Sequence, residues 1–339
     1  MRFNLNFFNL LLCPNCNSGN LEKTGVDLCC SECLNTYKVI DEIPRFVDDD
    51  YHSNWGLQWN KFSQVQLDSF NGTNLSESRL LTQSGMKPAD FKDKKILEVG
   101  AGNGRFTEIL LKYGAEVVAV DYSSAIEANY ENNHSYKGEI IFLQADLFCL
   151  PFKYDSFDIV LCYGVLQHTG DNEKALLELC KYPKKIGGKL LVDIYSSGLK
   201  YYNPWVYVIR PFFSLIRASD KRKLQIVEKF VNLIFPLQLW LLRKLHNKKG
   251  ILKIVRYIIN RSPNSVYGIN LYLDGKINLQ LARDWSIMDT FDGWAPKHDY
   301  PVSRSVWINM INSVATKEDF SILSLGESGQ GHTASLERN

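Results

Sequence analysis

Short apolar runs and helical spacings alternate through the middle of the chain. Residues 96–99, 116–120, 140–144, 157–162 and 189–195 are mostly apolar, and each reads as a strand. The segments between them read as helices, starting with 106–113 directly after the first run. Strands of this kind need cover on both faces, so the pattern predicts an α/β fold: a parallel sheet between helices. Downstream, 302–314 reads as a helix, 321–325 as a strand and 332–336 as its antiparallel partner across a glycine-rich turn. Upstream, 76–85 reads as a helix, preceded by an aromatic-rich stretch that opens on Trp55 and Trp59. Those tryptophans suit either a flap over a ligand or core packing.

Chemistry enters where the first strand meets the first helix. Residues 96–106 read Ile-Leu-Glu-Val-Gly-Ala-Gly-Asn-Gly-Arg-Phe, a strand followed by a tight turn on Gly100, Gly102 and Gly104. Glycines let the backbone approach a ligand, and the N-terminus of the next helix offers free N–H groups. The spacing is G-x-G-x-G, whereas loops that wrap a dinucleotide pyrophosphate favour G-x-G-x-x-G. Glu98 would repel a pyrophosphate but suits a ligand carrying an ammonium and a sulfonium, which favours S-adenosylmethionine over a nicotinamide dinucleotide. The second strand ends at Asp121, 17 residues after Gly104, where a carboxylate can accept both hydroxyl hydrogens of a ribose. The third strand ends in Ala145-Asp146-Leu147, and the fourth leads into Tyr163 and on to His168.

In this order the four segments resemble the class I S-adenosylmethionine-dependent methyltransferases, type 11-like, over residues 80–195 and again at the C-terminus. The resemblance implies a Rossmann-like seven-stranded sheet closed by a C-terminal antiparallel hairpin. It also implies roles by position. Glu98 and the backbone of Gly100, Ala101, Gly102 and Gly104 would hold the methionine end of the cofactor. Asp121 would bind the ribose, with Tyr122 packing beside the adenine. Asp146 would meet the adenine amino group and Leu147 its ring face, and Tyr163 would line the transferable methyl.

Five of the eight cysteines precede residue 34. Cys13 and Cys16 form one C-x-x-C pair and Cys30 and Cys33 a second, 13 residues on, with Cys29 as a spare that could replace Cys30. This is zinc-ribbon spacing, and four thiolates would make the zinc structural, with no open position for chemistry. A disulfide pairing is the alternative, disfavoured in a reducing cytoplasm. With Ile43-Pro44 after the second pair, the first 47 residues resemble the zinc ribbon related to small methyltransferase-activating subunits.

Composition is that of an ordinary soluble globular protein, with 45% apolar and 22% charged residues among 339. Charge distribution changes the picture more. The chain carries +2 overall, yet residues 199–261 hold 14 Lys/Arg against Asp220 and Glu228 alone. That segment belongs to an insertion, 196–283, rich in Tyr201, Tyr202, Trp205, Phe212, Phe213 and Trp240. Leu224, Val227, Val231 and Ile234 recur there at helical spacing, with Lys248, Lys249 and Lys253 close behind. It reads as a helical lid, its lysines either solvated or facing an anion: a nucleotide-sugar, a lipid diphosphate, an acidic membrane face or nucleic acid. No RNA-binding motif is recognisable.

The expected layout is a ribbon at 1–50 ending in a linker at Asp48–Asp50, a cofactor-binding core at 51–195, the basic insertion at 196–283 and a returning core at 284–339. Residues 7–12 make too short an apolar run for a signal peptide. No uncharged apolar run reaches the roughly 18 residues that span a bilayer. The expected location is cytoplasmic, peripheral at the inner face of the membrane. The expected reaction is O-methylation of a sugar, glycan or other small-molecule acceptor, anionic or lipid-linked. Hydroxyl methylation needs a base near neutrality; His168 is the first candidate and His298 the second, with Asp292 and Asp299 to orient or replace them. A stretch at 284–299 resembles, more loosely, bacterial methyltransferases associated with surface glycans. Two rivals are an RNA methyltransferase gripping phosphates with ribbon and insertion, and a non-catalytic cofactor-binding scaffold.

Overall fold

The computed structural model describes residues 9–17, 19–47, 53–136, 139–198, 203–246, 248, 250–329 and 331–339. The expected linker at Asp48–Asp50, together with Phe7, Tyr201, Tyr202 and Lys249, lies outside them.

The N-terminal head is a small antiparallel sheet of β1 (Leu21–Thr24), β2 (Asp27–Cys30) and β3 (Thr36–Tyr37), followed by the hairpin β4 (Val39–Ile40) and β5 (Ile43–Pro44). Three helices lead to the core: α1 (Ser53–Lys61), α2 (Asp68–Asn71) and α3 (Leu75–Ser84), the last ended by Gly85 in the left-handed region. The core strands are β6 (Lys95–Val99), β7 (Glu116–Asp121), β8 (Ile140–Gln144), β9 (Ile159–Cys162) and β10 (Lys189–Tyr195), with helices α4 (Arg105–Lys112), α5 (Ala125–Asn133) and α6 (Asn172–Leu179) between them. The helical insertion contains α7 (Pro204–Ser214), α8 (Asp220–Leu245), α9 (Ile251–Ile259), α10 (Tyr267–Leu273) and α11 (Leu279–Trp294). The helix α12 (Arg304–Glu318) and the hairpin β11 (Phe320–Ser328) and β12 (Gly331–Arg338) complete the chain.

The central sheet has seven strands in the order β11-β12-β10-β9-β6-β7-β8. Strands β6 to β10 are parallel, while β12 runs antiparallel to β10 and to β11. Parity along the strands sorts the core into two layers. Leu97, Val99, Val118, Val160 and Leu190 meet Leu176, Trp307 and Ile311 of α6 and α12. Ile96, Val117, Ala119 and Leu161 meet Leu80, Ile109, Leu110 and Ile126 of α3, α4 and α5. From β6 the chain first winds toward β8, then returns to build β9 and β10 on the other side. The strand order therefore reverses between β6 and β9, the place where open α/β sheets bind ligands.

Several element limits differ from the sequence pattern, two of them for clear physical reasons. The fourth strand starts at Ile159 because Asp158 turns its carboxylate to the Lys95 N–H and to Lys184, while Phe157 bridges to Pro183. The helix α11 runs through residue 283 to Trp294, because Ala282, Trp285, Met288 and Phe291 bury one continuous stripe in the helical layer.

The head is joined to the sheet. Leu11, Leu21, Leu28 and Tyr37 share a core with Ile141, Leu150 and Phe152. Arg45 makes a parallel bridge to Gln144 at the end of β8, and the Phe46 N–H donates to the Gln144 carbonyl at 2.7 Å.

Candidate active site

A cavity of about 1290 Å³ opens at the C-terminal ends of the parallel strands, between the glycine loop and helices of the insertion. Single small-molecule sites run to about 1000 Å³, so this one has room for a cofactor and an acceptor together.

The loop between β6 and α4 forms its floor. Gly100, Gly102 and Gly104 all have positive φ, at 74°, 53° and 86°. At Gly104 a Cβ would stand 2.2 Å from Asn129 Oδ1, and at Gly100 it would stand 2.2 Å from Val165 Cγ2, so neither position admits a side chain. At Gly102 a Cβ would stand 3.7 Å from Trp59 Nε1, filling the slot between loop and indole. Gly100, Ala101 and Gly102 line the cavity, as do Asp121, Tyr122, Asp146, Leu147, Tyr163, His168 and His298. Gly104 lies behind the loop, where it starts α4.

Glu98 departs from the expected role. It shares the face of Ile96 on β6, is 2% exposed and is not among the residues that line the cavity. Its Oε2 accepts the Thr107 hydroxyl at 2.6 Å, and Thr107 in turn accepts from Asn129 Nδ2 at 2.9 Å. Burial pushes its pKa up to about 8. Glu98 braces the loop from below, and strand parity places it on the α4 face of β6.

Asp121 holds the loop from the side. Its Oδ2 accepts the Gly102 N–H at 2.9 Å, and its Oδ1 accepts the Ser123 N–H and hydroxyl at 2.8 and 2.7 Å. Burial raises its pKa, and these three bonds pull the other way. Asp146 caps the turn Leu147–Cys149, its Oδ1 accepting the Phe148 N–H at 2.9 Å. Tyr163, just past β9, sits edge-on to Phe106 and has a buried hydroxyl without a hydrogen-bond partner among the described residues. A buried orphan hydroxyl at the switch point awaits a polar ligand group.

The opposite wall carries the two histidines. His168 Nδ1 lies 2.9 Å from the carbonyl oxygen of His298. A carbonyl only accepts, so Nδ1 carries the proton and Nε2 keeps its lone pair. The ring lies between Trp55, 4.9 Å away, and Tyr195, 5.8 Å away, and burial lowers its pKa below the usual histidine value. His298 itself points its Nδ1 at the Tyr300 hydroxyl, 3.3 Å off. Asp289 and Asp292 on α11 are each pushed up to about 7 by burial, Asp292 further by Asp289 and Asp299. Asp299 pairs with Arg210 at 2.5 Å, and Arg210 also donates to the Gly293 carbonyl.

Three further charged residues had no signal in the sequence pattern. Arg79 and Asp193, 114 positions apart, pair at 2.6 Å on the cavity wall, and Asp193 also accepts the Gly164 N–H. Arg105 lines the cavity, donates to Gln66 Oε1 at 2.6 Å and lies over Phe106. Burial, with Arg79 nearby, lowers its pKa to about 10, and it has no ion pair among the described residues. A cation so placed beside the glycine loop suits a carboxylate.

In the head, the Sγ atoms of Cys13, Cys16, Cys30 and Cys33 lie within 4.8 Å of one another. Cys13 to Cys33 and Cys16 to Cys30 are each 3.6 Å, close to the about 3.8 Å edge of a tetrahedral zinc thiolate site. The Glu32 and Cys33 N–H groups donate to Cys30 Sγ, as a metal knuckle requires. Cys29 faces the Cys30 and Leu34 carbonyls instead, so Cys30 completes the set.

Residues 97–192 match a family model described as a methyltransferase domain. The chain is 28% identical over 165 residues to a ubiquinone/menaquinone biosynthesis C-methyltransferase of Francisella tularensis, covering 45% of this chain and 64% of that protein. It is 32% identical over 113 residues to a ubiquinone biosynthesis O-methyltransferase of Coxiella burnetii, covering 33% of this chain and 47% of the relative. The chain thus spans less than two thirds of either. Among solved structures, magnesium protoporphyrin IX methyltransferase of Synechocystis with bound SAH aligns over 84% of both chains at 14% identity, with a TM-score of 0.40.

Proposed function

We propose that this chain, whose core is a class I methyltransferase domain, transfers the methyl group of S-adenosylmethionine to a hydroxyl of a small-molecule acceptor. The observation that carries the reading is the cavity itself, with a loop fitted to the cofactor on one wall and a correctly tautomerised histidine on the other.

The cofactor, when bound, supplies an electrophilic methyl on a sulfonium. The slot between Gly102 and Trp59, the Tyr163 hydroxyl, the second oxygen of Asp146 and the Arg105 cation fit its backbone-hugging, polar and carboxylate parts. A carboxylate offers about four lone-pair sites, so a ribose diol would use the vacancy on Asp121 and displace the Ser123 hydroxyl. Tyr122 and Leu147 would flank the adenine. On the acceptor side, His168 Nε2 would take the hydroxyl proton as oxygen attacks, while the His298 carbonyl holds the imidazole in place. Alignment of the two partners supplies much of the rate. Two quinone-pathway relatives, one methylating carbon and one oxygen by name, favour a small-molecule acceptor over RNA. A sugar or glycan is the acceptor class we favour from the resemblance at 284–299.

Replacing His168 with alanine should lower kcat about a hundredfold with little change in cofactor affinity. The wild-type rate should fall as pH drops through the His168 pKa, below the ordinary 6.5 or so, because only neutral imidazole accepts a proton. A second inflection near 7 should come from the carboxylates of α11 and should move in Asp292→Asn, which leaves Asp289 to titrate without its neighbour. An inflection below about 6.5 that survives His168→Ala would dismiss this base. The acceptor class is tested by offering labelled cofactor to fractionated glycan, lipid, RNA and protein pools. Label entering RNA alone, or no pool at all, would overturn the reading.

A further inference from the structure

The helical layer carries a second apolar surface that the cavity does not use. On α8, Leu224, Val227, Val231, Phe235 and Leu242 are buried in the layer's own core. Ile226, Leu233, Leu237 and Trp240 form another stripe on the opposite side, with Leu233 79% and Leu237 60% exposed. Their steps of seven, four and three residues keep them within one narrow arc. Trp205, Val208, Phe212 and Leu215 make a like stripe at and beyond α7, with Phe212 69% exposed. None of the described side chains of α9 is buried; Ile254, Val255, Tyr257 and Ile258 all face solvent.

Cations edge this surface. Lys244 lies over the Trp240 ring at 4.2 Å and Arg261 over Tyr257 at 3.7 Å. Arg222, Lys229 and Lys253 have no ion pair among the described residues, and Glu228 is taken by Lys61 from α1. Aromatic and aliphatic stripes bordered by Lys and Arg match the headgroup boundary of an anionic bilayer. A second copy fits poorly, since it would set one +12 segment against another. Nucleic acid leaves the apolar stripes uncovered.

Among the described residues α8 is the one helix long and apolar enough to cross a membrane. Its buried stripe is committed to the protein core, and Arg222 and Lys223 at one end and Arg243 and Lys244 at the other suit a helix lying flat. The helix α7 lines the cavity through Val206 and Arg210, and Asn260 and Arg261 line it just beyond α9. The cavity thus borders the same surface.

We propose that α7, α8 and α9 seat this protein on an anionic phospholipid bilayer, with the cavity mouth at the membrane surface. That the acceptor arrives from the membrane rests on the methyl-transfer reading above; the docking itself does not.

Flotation with phosphatidylcholine vesicles, with and without phosphatidylglycerol, tests it. Binding should require phosphatidylglycerol and weaken as salt is raised. The double variant Leu233→Ser, Leu237→Ser should bind the mixed vesicles about tenfold more weakly, and Lys229→Glu with Lys244→Glu should lose about fivefold per residue. Affinity for S-adenosylhomocysteine should stay at the wild-type value in both, which certifies the fold. Three results would overturn the proposal: no flotation with mixed vesicles, equal flotation without anionic lipid, or a concentration-dependent dimer abolished by the serine pair. Vesicle binding without methyl transfer to any acceptor would leave docking standing and remove the enzymatic reading alone.

Discussion

Asp121→Ala should weaken cofactor binding about a thousandfold by calorimetry, while the protein stays folded. The carboxylate has one unused lone-pair site and one shared with the Ser123 hydroxyl, whose bond measures 2.7 Å. Two charge-assisted bonds to a diol at about 1.5–3 kcal/mol each give about 4 kcal/mol together, which is about three decades in Kd. Part of the loss is indirect, because the Gly102 N–H surrenders its acceptor and the loop loosens. Asp121→Asn separates the two effects. Its amide oxygen can still accept from Gly102, yet it cannot accept both diol hydrogens, so an intermediate affinity is expected. Unchanged affinity in the alanine variant would overturn the ribose assignment.

The second large effect is expected in the head. We propose that the four-cysteine cluster holds a structural zinc; such a site in a small domain is worth on the order of 10–16 kcal/mol, so Cys16→Ser should release the metal and expose residues 9–47 to protease. The damage should also reach the cofactor. The Leu12 N–H donates to the Pro151 carbonyl at 3.0 Å, the Lys153 N–H donates to the Leu10 carbonyl at 2.9 Å, and Cys149 Sγ meets the Pro14 carbonyl. The last of these holds the turn Leu147–Cys149 behind Asp146, and the other two hold the segment that follows it. Arg45 Nη1 donates to Gln144, whose amide donates to the Tyr122 carbonyl at 3.0 Å, a second link to the adenine side. Metal removal by chelation should therefore cost cofactor affinity about tenfold, of the size expected for lost supporting contacts around a site. Complete metal loss at constant affinity would show that the two halves are energetically independent.

Local pattern carried the sheet, because buried parallel strands announce themselves as apolar runs and the glycine loop has a fixed place after the first. Residues 140–144 and 189–195 coincide with β8 and β10. The strand ends that were singled out come together in space: Asp121, Asp146 and Tyr163 all line the cavity. Glu98 was assigned to the cofactor, yet period two along β6 puts it with Ile96 beneath α4, outside the residues that line the cavity. Arg79 with Asp193, and Arg210 with Asp299, were not legible at all. Each pair is made by elements far apart in the chain, and the pairing itself leaves no local motif. The insertion was recognised by charge and helical spacing, but which of its apolar residues face inward depends on how α8 packs against α11.

The Arg45–Gln144 bridge also bears on how the molecule stays dispersed. Strand β8 ends one side of the central sheet, and an uncovered strand edge is a template for pairing with any other chain. Here the protein's own head closes the end of that edge, through the Phe46 N–H on the Gln144 carbonyl. A ribbon that lets go would uncover backbone groups along β8 before the sheet itself came apart. If zinc fills the cysteine cluster, that cluster also guards against self-association, and metal starvation in solution should show first as turbidity, ahead of any change in the chemistry of the cavity.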